Sequence, residues 1–159
     1  MMLIRQEIAR LVPHDGTMCL LDTVQSWDDI HLICTATSHR NPSHPLRDGD
    51  VLRAVCGIEY AAQAIAAHRG LLADERCRQS IGVVGGIRDF VMEVERLEDI
   101  TDDLSIRVDK LIEQGGSLMY RFSISAGGRL LLSGRASVMT LNGMARGSHP
   151  EPNPSSCTA

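Results

Sequence analysis

The segment at residues 56–68, CGIEYAAQAIAAH, constrains the fold more than any other part of this chain. It is rich in good helix formers, and apolar side chains fall on almost every side of the resulting cylinder. A helix of that kind has no broad face to offer water, so the rest of the protein must enclose it. Its alanines make it thin, which lets the enclosing layer come close. Two polar side chains break the pattern, Glu59 near the start and Gln63 one turn later on the same face. An ionised carboxylate buried without a partner is very costly, so Glu59 is expected to be paired or protonated.

The remainder of the chain supplies the enclosing layer. Residues 4–12, IRQEIARLV, carry apolar positions at helical spacing and predict a short helix, ended by Pro13 because the residue before a proline avoids helical geometry. MCLLDTVQSWD (18–28) and HLICTATSH (31–39) read as two strands joined by a tight Asp-Asp turn. The second places Leu32, Cys34 and Ala36 on one face and Ile33, Thr35 and Thr37 on the other. RNPSHPLRDGDVLR (40–53) is a loop by composition, long enough to suggest a functional role. The alanine-rich helix then covers roughly 54–70, with Gly70 placed to stop it.

Beyond a polar linker (73–78) the pattern turns to strands. SIGVVGGIRDFVMEVER (80–96) is a long, kinked strand in which Gly85 and Gly86 mark a bulge or a close backbone approach. LSIRVDKLIEQ (104–114), LMYRFSISA (118–126) and RLLLSGRASVMTL (129–141) are separated by two Gly-Gly turns and form a meander. One buried helix with an antiparallel sheet is an α+β domain. A strongly curved sheet wrapped around that helix is the hotdog fold, expected here as one domain over 1–141. The tail at 142–159 has the composition of a disordered segment.

Composition narrows the function. The net charge is −4 and aromatics are 3% of residues, which leaves neither a basic footprint nor stacking surfaces for nucleic acid. No apolar run approaches membrane-spanning length, and the N-terminus lacks the form of a signal peptide, so a cytoplasmic protein is expected. The five cysteines are scattered, without a CxxC pair or zinc-ligand spacing, and read as buried thiols rather than a metal site.

Among residues able to carry chemistry, Glu59 leads. Desolvation of a carboxyl group raises its pKa and prepares it as a proton donor or shuttle. A first-turn glutamate facing water is the bland alternative, but its neighbours leave little polar surface there. Gly57, at the helix start, would let a ligand approach free backbone N–H groups that polarise a carbonyl, or would simply permit tight packing. Gln63 would orient the carboxylate or touch substrate, or mark the core margin. His14, in VPHDG, and His44, in NPSHPLRDGD, are the candidate general bases. His31 and His39 read as surface residues, and His68 as a helix-end histidine suited to the dipole. Gly85 and Gly86 join Gly57 and Gln63 as candidate substrate-binding positions.

Four stretches taken in order, LVPHDGTMCLLDTV, a loop, GIEYAAQAIA and GVVGGIRDF, resemble the β-hydroxyacyl-acyl carrier protein dehydratase group of hotdog proteins. The chain is most similar to the divergent aryl-polyene-type branch, over residues 5–141. The resemblance implies removal of water from a 3-hydroxyacyl thioester on acyl carrier protein or coenzyme A, giving a trans-2-enoyl thioester in fatty acid or polyene lipid biosynthesis, with no metal or redox cofactor. Glu59 takes the place of the family's helix carboxylate and Gly57 that of its amide donor. The family's Gly-His-Phe-Pro loop and Pro-Gly helix start are replaced here by PSHPLRDGDVLRAVCG, so the base is either His14 or His44.

The family also assembles as dimers whose sheets join edge to edge. A homo-oligomer (dimer or higher) or a heterodimer with another hotdog protein is therefore expected. Two further readings stay open from sequence, a hotdog thioesterase using Glu59 to activate water and a non-catalytic subunit paired with an active hotdog protein.

Overall fold

A computed structural model describes residues 1–13, 16–73 and 82–140. In chain order these residues form β1 (Leu3–Ile4), α1 (Arg5–Ile8), β2 (Thr23–Trp27), β3 (His31–Ala36), α2 (Gly57–Leu72), β4 (Gly82–Met92), β5 (Leu104–Gln114), β6 (Ser117–Ala126) and β7 (Arg129–Thr140). The strands make one antiparallel sheet in the order β1-β2-β3-β5-β6-β7-β4. β4 therefore follows the helix in sequence but lies at the far edge of the sheet, beside the last strand.

Alternation decides which side of the sheet meets the helix. Leu32, Cys34 and Ala36 of β3, Leu104, Ile106 and Val108 of β5, and Tyr120, Phe122 and Ile124 of β6 are fully or almost fully buried. They face Tyr60, Ala61, Ala64, Ile65 and Ala67 of α2, which are buried in turn. Burying one such large apolar side chain stabilises by roughly 1.5–3 kcal/mol. The alanines bring the helix down onto the sheet. Glycine completes the fit where even a methyl group would collide: a Cβ on Gly57 would lie 2.6 Å from Leu132 Cδ2, and one on Gly134 2.8 Å from Phe122 Cζ.

Both Gly-Gly turns of the meander have positive φ at each glycine, 60° and 79° at Gly115 and Gly116, 55° and 76° at Gly127 and Gly128. That backbone matches the twist of the strands it joins, and glycine adopts it without steric cost. The β4 bulge falls at Gly85, where the register shifts between Val84 and Gly86. A second irregularity lies between Arg88 and Val91, with Asp89 at φ 50°.

Three local expectations are corrected. The first helix is only Arg5–Ile8, because Leu3 and Ile4 pair with Val24 and Thr23 as a strand and residues 9–13 are turns. Gly70 does not stop α2, which continues to Leu72; its role is close approach, since a Cβ there would lie 3.0 Å from Leu11 Cδ2. The first expected strand begins only at Thr23, preceded by a 3-10 turn at Gly16–Met18 and residues 19–22 without regular secondary structure. The C-terminal tail expected from residue 142 lies outside the described residues.

Candidate functional site

The first two turns of α2 carry the polar groups, and three hydrogen bonds set their arrangement. Gln63 is 1% exposed, and its Oε1 accepts the Leu20 N–H at 2.9 Å. That acceptor role fixes the amide orientation, because the oxygen must face the backbone donor. Its Nε2 then donates to the Met18 carbonyl at 2.6 Å and to Glu59 Oε1 at 3.2 Å. Gln63 therefore holds the carboxylate and the chain leading into β2 as one unit. Asp22, just beyond, fixes the same segment to the end of β3 by accepting the Thr37 N–H and hydroxyl, each at 2.7 Å, with Arg5 paired to it at 3.1 Å.

Glu59 is half-buried and lines a cavity of about 290 Å³ between α2 and the edge of the sheet. Pro13 and Gln63 stand beside it. Ala62, Ile65 and Ala66 form the helix wall, and Val83, Val84 and Val138 the sheet wall. Arg69 and Gly82 close the far end. The result is an apolar slot with a carboxylate oriented at one end, a form suited to an acyl chain whose reacting carbons sit beside an acid group.

On the other side of the same helical turn the polar groups are sealed. Tyr60 Oη lies 3.0 Å from His44 Nε2 and 2.7 Å from Ser38 Oγ. Ser38 Oγ donates to the Leu20 carbonyl at 2.8 Å, and His44 Nδ1 accepts the Leu46 N–H at 3.0 Å. Only one set of protons satisfies these contacts. His44 is neutral with its proton on Nε2, which donates to Tyr60, and Tyr60 donates to Ser38. Burial, with help from Arg47 and His39, holds the His44 pKa below the ordinary imidazole value, and burial pushes the Tyr60 phenol up.

The expected site residues are thus distributed unequally. Glu59 and Gln63 are brought together. His44 is 5% exposed, has both ring nitrogens engaged, and does not line the Glu59 cavity. His14 lies outside the described residues, while its neighbour Pro13 lines that cavity. The N–H of Gly57 is taken by the Ala54 carbonyl in the preceding 3-10 turn, and its missing side chain makes room for Leu132. Gly85 and Gly86 are exposed on the edge strand and do not line the cavity, although Val83 and Val84 next to them do.

Two histidine readings are overturned. His39, expected at the surface, is fully buried with Nε2 3.0 Å from the Ile100 carbonyl. His68, expected to use a charge at the helix end, is fully buried too. Its Nε2–H donates to the Asp28 carbonyl at 2.7 Å and its Nδ1 accepts from Tyr120 Oη at 2.9 Å, and burial lowers its pKa. Sequence reasoning missed Arg69, which also lines the cavity; the available signal was its place ten residues beyond Glu59 on α2, about 80° from it around the helix axis. Among the described residues no group of His, Cys, Asp and Glu is arranged to hold a metal ion, and no helix is long and apolar enough to cross a membrane.

Comparison with known proteins agrees with this architecture. No curated protein matches the sequence. The solved structure of the dehydratase heterocomplex ApeI:P from Xenorhabdus doucetiae contains a chain similar to this one, at 26% identity and TM-score 0.75. The match covers 88% of this chain and 97% of that one. Zebra fish thioesterase superfamily member 2 shares the fold at 16% identity and TM-score 0.58, covering 86% of this chain and 94% of that one. The E. coli PaaI protein from the phenylacetic acid degradation operon does so at 12% identity and TM-score 0.54, covering 73% and 80%. These two show the hotdog fold alone. The model of the ApeP dehydratase family matches residues 6–146, nearly the whole chain, and this hotdog protein belongs to the ApeP-like dehydratase family.

Proposed function

We propose that this protein dehydrates 3-hydroxyacyl thioesters carried on acyl carrier protein to trans-2-enoyl thioesters in the cytoplasm, with Glu59 and His14 as the proton-handling pair. The observation that carries this reading is the Glu59 carboxylate, oriented by Gln63 at the polar end of an apolar slot. In the reaction a base takes a proton from C2, the C2–C3 double bond forms, and the C3–O bond breaks. The hydroxyl leaves as water with a proton delivered by the carboxyl group. His14 is the favoured base because both nitrogens of His44 are already engaged and because Pro13, next to His14, lines the slot with Glu59. Gly57 serves this reading by seating the helix, and Gly85 with Gly86 by shaping the edge strand beside the slot.

The same reading includes a second hotdog chain, homologous or identical, joined along the edge of β4. Val83, Val91 and Met92 are exposed on that strand, and an open strand edge presents unpaired backbone groups. The test is direct. The purified chain, alone and co-expressed with a second hotdog protein, is given a 3-hydroxyacyl-acyl carrier protein, and the product is identified by mass. Loss of water is the expected result. Free acid and free thiol would instead identify a thioesterase, and turnover seen only with the partner and surviving Glu59→Ala would identify a non-catalytic subunit.

A further inference from the structure

The slot beside Glu59 has a second polar end. Arg69 follows Glu59 by ten residues on α2, about 15 Å along the axis at the helical rise. Helical side chains lean toward the N-terminus, the end of α2 that carries Glu59. It lines the slot together with Ala62, Ala66 and Val138. Its position depends on a glycine in the edge strand, since a Cβ on Gly82 would overlap Arg69 Nη1. Among the described residues no carboxylate pairs with Arg69. Asp29 and Glu113 line the larger cavity of about 900 Å³ on its other side, and neither forms an ion pair with it. Arg69 is half-buried between the two cavities, and among the described residues no carboxylate supplies the planar oxygen acceptor that its donors fit.

We infer that Arg69 is a specificity-determining residue that recognises an oxygen acceptor, carboxylate or hydroxyl, at the distal end of the acyl chain. The thioester and 3-hydroxyl would lie at the Glu59 end and the chain would run along the alanine wall to Arg69. A plain alkyl chain of the same length would leave the guanidinium desolvated and unanswered. This deepens the proposed function, resting on the same slot, and names the substrate class by its far end.

The test uses binding, so that it does not depend on turnover. Non-hydrolysable acyl-pantetheine amides of equal length, ending in methyl, hydroxyl or carboxylate, are titrated into the full-length chain by calorimetry. The expected order is carboxylate, then hydroxyl, then methyl, with roughly tenfold or more between the extremes. Arg69→Met should collapse the order, Arg69→Lys should retain part of it, and Gly82→Ala should collapse it with the guanidinium still present but displaced. Methyl-ended ligand binding as tightly as the others, no binding of any of the three, or an order that survives Arg69→Met would overturn the inference. Turnover of matching 3-hydroxyacyl thioesters is scored separately. Ordered binding without dehydration removes the proposed function and keeps Arg69 as the chain-end reader, whereas dehydration without ordered binding does the reverse.

Discussion

Glu59 and Tyr60 are consecutive on α2, about 100° apart around its axis, and each anchors a polar cluster of opposite character. The Tyr60 cluster is closed. Four groups, His44, Tyr60, Ser38 and the Leu20 carbonyl, are joined in one donor-to-acceptor direction. The Glu59 cluster is open. Gln63 ties the carboxylate to the chain at Met18 and Leu20, and the carboxylate then faces a cavity. Leu20 belongs to both, accepting Ser38 through its carbonyl and donating to Gln63 through its N–H. One cluster therefore holds the loop and helix in place, and the other sets an acid at the wall of a cavity. A polar residue in a buried helix serves structure when it is sealed inside the protein, and is a candidate for chemistry when it lines a cavity.

Mutations should separate the two. The largest expected effect is on Glu59→Gln, which keeps the shape and removes the proton. Dehydration should fall by about 10²–10⁴-fold, with a melting temperature close to wild type; rates within a small factor of wild type would end the division drawn here. Gln63→Leu comes next and should blur the boundary. It strands the Leu20 N–H and the Met18 carbonyl, at about 1–3 kcal/mol of stability, and it leaves Glu59 unaimed, lowering kcat by roughly tenfold. Denaturant melts and steady-state kinetics on the same preparation check both. Tyr60→Phe should act on the closed side alone. It leaves His44 and Ser38 each short of a partner and lowers stability by about 1–3 kcal/mol, while the folded fraction retains near-normal kcat.

The smallest effect concerns pH. Burial places the folded-state pKa values of His39, His44 and His68 below their unfolded value of 6.5. In that interval the unfolded chain binds more protons than the folded one. The histidine contribution to stability is thus complete above the unfolded value and is lost as pH falls through the folded-state values. Melting temperatures recorded from about pH 8 to pH 5 should fall on the acid side, with a shallower slope in His68→Gln. A flat profile would mean that these imidazoles are not held neutral.

Much of this was legible before any coordinates. Periodicity revealed the meander and its two turns, because strand alternation and glycine's freedom at positive φ are local properties. The same held for the enclosed helix, since no arrangement of CGIEYAAQAIAAH gives it a wet side. Glu59 with Gln63 could be read as a pair from helical spacing alone. The histidines could not. His44 sits in a loop of polar composition and His68 near a helix end, and nothing nearby in sequence says that Tyr60 or Tyr120 will cover them. Gly57 was ambiguous for the same reason: whether its N–H is free depends on the Ala54 turn, and whether its missing side chain matters depends on Leu132, which arrives from β7.

The sequence by itself determined that an alanine-rich helix carries one acid and must be wrapped by an antiparallel sheet, because period, propensity and the cost of exposing apolar surface act along the chain. Only the tertiary structure decided which polar groups that wrapping seals and which it leaves facing a slot. That choice depends on segments far apart in sequence, residues 18–20, 38, 44 and the β4 edge, meeting around two successive positions of one helix.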